Sequence, residues 1–114
     1  MTDLGPTQAS LPIGKRGQLA LAVAAAVDTV KGVHRSGGSG VGIATQYPGG
    51  RVVGIHLGED QISVHIIAEV LPLDSVIEAA RSAALSAVHE AGDDRPVAVT
   101  VEDIEVEFLP PSIR

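Results

Sequence analysis

The chain has 114 residues, 45% of them apolar, and a net charge of −6 from 8 basic and 14 acidic side chains. That length suits one domain with a modest core; with one Phe, one Tyr, no Trp and no Cys, Ala and Val must fill much of that core, and disulfides and thiolate metal sites are excluded. The acidic balance, the lack of a Lys/Arg-rich window and the shortage of aromatic platforms argue against nucleic-acid binding and against direct docking to anionic lipid.

Residues 1–12 carry two Pro and no sustained period, and read as a flexible N-terminal arm. Residues 13–109 are then the α+β domain, and 110–114 a short tail. Ile13 to Arg16 adds a short strand or leads into the first helix, expected over Gly17 to Val30. In that helix Leu19, Val23, Val27 and Val30 form a stripe with Ala22 and Ala26 beside it. Val33 to Gly42 reads as a glycine-rich connection with His34 facing solvent, since neither GxGxxG nor GK[ST] occurs in it. Val41 to Tyr47 has strand character, and Pro48-Gly49-Gly50 marks a turn.

The strongest pattern is Gly50 to Glu69. Val53, Ile55 and Leu57 alternate with polar or small residues, then Gly58 to Gln61 turns the chain, then Ile62, Val64 and Ile66 alternate again. This predicts a hairpin with Leu57 opposite Ile62, Ile55 opposite Val64 and Val53 opposite Ile66. With the preceding strand it makes a three-stranded meander. A second helix is expected over Pro72 to Ala91, with Leu73, Val76, Ile77, Ala80, Ala84, Leu85 and Val88 on its apolar face. The last strand, Val97 to Phe108, changes parity after Val101, so a β-bulge is predicted near Glu102-Asp103. The expected fold is α+β, two helices packed on one face of a four-stranded mixed sheet, order α-β-β-β-α-β, with a βαβ crossover around the second helix.

The uncovered face would carry Gly54, His56, Ser63, His65, Ile67 and Glu69. His56, Ser63, His65 and Ile67 are the candidate interaction surface. His56 and His65 with Glu69, or with Glu102, are the candidate metal ligands, although diagonal neighbours stand ~7–8 Å apart and packing at a subunit contact is the plainer reading. No GxSxG or HExxH occurs, and the acidic pairs sit at turns or strand ends. Nothing assembles a nucleophile, base and oxyanion donor, so no enzyme activity and no cofactor are expected.

The motifs themselves are familiar. Val30-Lys31-Gly32-Val33, the glycine-rich run, the turn and hairpin from Tyr47 to Ile55, the ISVHIIAE strand and the RPVAVTVEDIEVEF strand together resemble the alkaline-shock-protein type of envelope stress response family, in the short form typical of high-GC Gram-positive bacteria. The resemblance spans Gly17 to Phe108. It implies a non-enzymatic interaction or scaffold protein of the cell-envelope stress or homeostasis response. Such a protein self-associates as a homo-oligomer and is held beside the membrane by a small membrane-anchoring protein. The alternative is a small regulatory ligand- or metal-binding domain using His56 and His65. The apolar stretch Leu19 to Val30 is too short for direct membrane insertion, and no signal peptide is visible. The expected location is therefore cytoplasmic, with peripheral attachment at the inner face of the cell membrane.

Overall fold

A computed structural model describes residues 14–36 and 43–105. The expected arm, Ile13, the glycine run 37–42, residues 106–108 of the expected last strand, residue 109 and the tail 110–114 lie outside the described residues. The elements are α1 (Gly14–Asp28), β1 (Val33–Arg35), β2 (Ala44–Tyr47), β3 (Gly50–Val53), β4 (Ile55–Leu57), β5 (Ile62–Ala68), α2 (Leu73–Glu90) and β6 (Val97–Ile104).

The fold is α+β, with α1 and α2 packed against each other and against the sheet. The main sheet has four strands around β5. One edge of β5 carries β6 in parallel, joined through α2 as expected. The other edge is shared: β4 pairs antiparallel with its first half and β1 with its second. The changeover falls at His65, whose N–H donates to the Gly54 carbonyl and whose carbonyl accepts from the Ser36 N–H, both at 2.8 Å.

Four corrections to the sequence reading follow. Helix α1 begins at Gly14 and ends at Asp28, so Lys15 and Arg16 are helical; both are good helix formers that need no buried partner. Its buried alanines are Ala20 and Ala24, while Ala22 is exposed and Ala26 half-buried. With Ala80 and Ala84 of α2, also buried, they leave room for the helices to approach closely.

Val33–Arg35 is a strand, not part of a loose connection. Three residues are too few to show a period, and the strand exists through its pairing with β5. The meander is also replaced: β2 and β3 form a two-stranded sheet of their own.

The fourth correction concerns Gly54. The expected continuous strand breaks there, at φ +81°, a left-handed conformation that Gly adopts without Cβ conflict. Its N–H donates to the Ile43 carbonyl at 2.7 Å while its carbonyl serves His65. The register Leu57↔Ile62 and Ile55↔Val64 is as expected, but Ile66 faces Arg35 rather than Val53. Val52 takes the core place expected of Val53.

Thr45 fastens the small sheet to the large one. Its buried hydroxyl donates to the Ile55 carbonyl at 2.7 Å. The core lies between helices and sheet, and its largest fully buried side chains include Ile55, Ile62, Ile66, Val23, Val27, Val64 and Val88. On α2, Val76, Ala80, Ala84 and Val88 are buried at four-residue intervals, as the periodicity predicts. The bulge is where the parity change places it: Ile66 pairs with Val101 and Ile67 with Asp103, leaving Glu102 as the extra residue.

Candidate functional site

The face of the sheet away from the helices is ordered in rows by the strand register. His56, Ser63 and Ala98 make one row; His65 and Thr100 the next; His34, Ile67 and Asp103 a third. Of the candidate surface residues, His56 is exposed and Ser63, His65 and Ile67 are half-buried.

At the centre stands a three-residue polar clasp. The bulge at Glu102 puts its carboxylate beside two neighbours. His65 Nδ1 lies 2.5 Å from Glu102 Oε2, and Ser36 Oγ donates to Glu102 Oε1 at 2.8 Å. These contacts, His65 first and Ser36 second, hold the Glu102 carboxyl below its ordinary range. The clasp ties the end of β1 to β5 and β6. It contains the residue types of a serine relay in the wrong order, because the carboxylate separates hydroxyl from imidazole, where a relay needs imidazole between them. The Ser36 proton is thus directed at a carboxylate that cannot activate it through His65.

One end of the face is acidic. His34 Nδ1 lies 3.0 Å from Glu69 Oε2, and one potential ligand atom from each of His34, Glu69 and Glu105 lies within 4.8 Å of the other two. The candidate ligands His56, His65 and Glu69 are not brought together. His56 shares a row with Ser63, six residues along β5 from Glu69, which is ~20 Å at the usual strand rise. Instead His65 engages Glu102 and Glu69 engages His34. Sequence reasoning missed His34 and Ser36 because the strand that presents them was itself missed. Three residues with one apolar side chain gave no periodicity from which that strand could be read.

Arg35 completes the framework around this face. Its guanidinium bonds both oxygens of Asp28, at 2.9 and 3.1 Å, and donates to the Val53 carbonyl at 2.8 Å. At the opposite end Arg95 pairs with Asp93 at 2.6 Å and donates to the Gly58 carbonyl at 2.8 Å.

Among the described residues no helix is long and apolar enough to cross a membrane. Comparison with protein-family models, curated proteins and solved structures returns no match.

Proposed function

We propose that this chain is a non-enzymatic interaction module that self-associates and docks to a membrane-protein partner through the open face of its sheet. In the cell it serves the envelope stress or homeostasis role that the sequence resemblance implies. The observation that carries the reading is the one-sided cover of the sheet: both helices pack together on the core face, while Ser63, His65 and Ile67 of the central strand stay half-buried on the other. Ile67, between His34 and Asp103, is the apolar centre of that face. Val70, Leu71 and Ile104, at 45%, 58% and 48% exposure, add apolar surface where β5 and β6 end.

Charge supports the same class of partner. Glu69, Glu102, Asp103 and Glu105 gather at that end and are exposed. Cytoplasmic flanks of membrane proteins are enriched in Lys and Arg, which complement such a surface, whereas anionic lipid would be repelled.

Sedimentation velocity on the wild type and Ile67→Glu tests the proposal. The wild type sediments as an oligomer at micromolar concentration. The variant, with unchanged circular dichroism, shifts toward monomer, because a charge in the contact must be desolvated. A monomeric wild type, or a folded variant that assembles equally well, refutes it.

A further inference from the structure

The acidic end of the open face is built by backbone bonds rather than by chance side-chain reach. His34 is held opposite Ile67 by the β1–β5 register. The Glu69 N–H donates to the Gly32 carbonyl at 2.7 Å, and the Glu105 N–H donates to the Ala68 carbonyl at 2.8 Å. Three ladder contacts thus fix the origins of three side chains on adjacent strands. Their outer atoms converge: a ring nitrogen and two carboxylate oxygens, all within 4.8 Å of one another.

The charge of this group is unbalanced. Among the described residues the ion pairs formed by Lys or Arg involve Asp28, Glu78 and Asp93, and none reaches Glu69 or Glu105. Two carboxylates held close together repel each other, and a cation between them removes the repulsion.

We propose that His34, Glu69 and Glu105 form a divalent-cation site of one imidazole and two carboxylates, suited to Zn²⁺ rather than Mg²⁺. The imidazole decides the class, since Mg²⁺ prefers an all-oxygen shell and retains its water. Ligands ~2.1 Å from Zn²⁺ in a tetrahedral arrangement stand ~3.4 Å apart. His34 and Glu69 are already 3.0 Å apart, and closing the widest spacing takes a movement on the order of 1 Å, within side-chain reach. The cation takes the place of the proton between His34 Nδ1 and Glu69 Oε2, and any proton on that nitrogen leaves to solvent. With the two side chains 46% and 44% exposed, water completes the shell. The bound ion would link three-residue β1 to the ends of β5 and β6. This proposal does not depend on the docking reading.

The test uses untagged protein, Zn²⁺ and Mg²⁺ as probes, and the ring-nitrogen resonances of the four histidines. One equivalent of Zn²⁺ is expected to move the His34 resonances and leave those of His56, His65 and His89 in place. Calorimetry should give one site, weakened about tenfold or more in His34→Ala and in Glu105→Gln. These exposed substitutions leave the core intact, and circular dichroism checks this. Unmoved His34 resonances, Zn²⁺ binding unchanged in both variants, or Mg²⁺ binding as tightly as Zn²⁺ would each overturn the assignment.

Discussion

Replacing Gly54 by Ala tests whether the break between β3 and β4 organises the sheet. Two costs arise. The first is conformational: at φ +81° an L residue costs ~1–2 kcal/mol more than Gly. The second is spatial. A Cβ at Gly54 would lie 2.9 Å from both Arg35 Cβ and the Ser36 carbonyl oxygen, and 3.1 Å from the His65 carbonyl oxygen. These atoms belong to the backbone or its first side-chain carbon, so they cannot swing aside without moving β1 from β5. Overpacking of this kind costs ~1–3 kcal/mol, for a total of about 3 kcal/mol. Gly92→Ala is the control, because φ there is +85° but nothing lies within 4 Å. It carries the conformational cost alone, about 1 kcal/mol. In urea unfolding, with a slope of ~2 kcal/mol/M, the midpoint should fall by about 1.5 M for Gly54→Ala and by about 0.5 M for Gly92→Ala. Amide exchange at Ser36 and His65 should also accelerate in the first variant. Equal midpoint shifts in the two variants would refute the argument.

Neighbouring isoleucines test the register of β5. Ile66 is fully buried, so Ile66→Ala should cost ~2–5 kcal/mol, whereas half-buried Ile67→Ala should cost under ~1 kcal/mol; similar urea midpoints would mean the faces are misassigned. The Asp93–Arg95 pair predicts a pH dependence. Hydrogen bonds from the Arg95 side chain, then from its backbone N–H, lower the Asp93 carboxyl from 3.8 to about 2. A depressed folded-state value stabilises above the unfolded-state value, and that contribution is lost as pH falls through the folded one. Wild type should therefore exceed Asp93→Asn in stability above pH 3.8, with the two curves converging toward pH 2; a gap constant across that window would exclude the linkage.

Where the fold was legible, one local pattern and one structural demand coincided. The β4–β5 turn was readable because apolar residues alternate on both sides of a polar loop, and only one register buries both sets. The bulge was readable because Val97, Val99 and Val101 share one parity while Ile104 has the other, and a strand can absorb that change with one extra residue. Gly54 was not, because it occupies a small-residue position in an otherwise regular alternation and its dihedral angle has no signature in the pattern. Its isolation within a strand was the only hint.

The same distinction governs the site. Glu69 was recognised as a possible ligand, yet its partner could not be identified from β5 alone. Its neighbour is supplied by β1, whose one buried apolar residue, Val33, gives no periodicity to read. Once β1 takes the second half of the β5 edge, the remaining arrangement is forced. His34 must share a row with Ile67, Ser36 must approach His65, and the extra residue on β6 must present Glu102 to both Ser36 and His65. A three-residue strand therefore determines where Glu69 and Glu102 find their partners. For that reason the Gly54 substitution, which pushes directly on Arg35 and Ser36, should disturb this face before it disturbs the helical core.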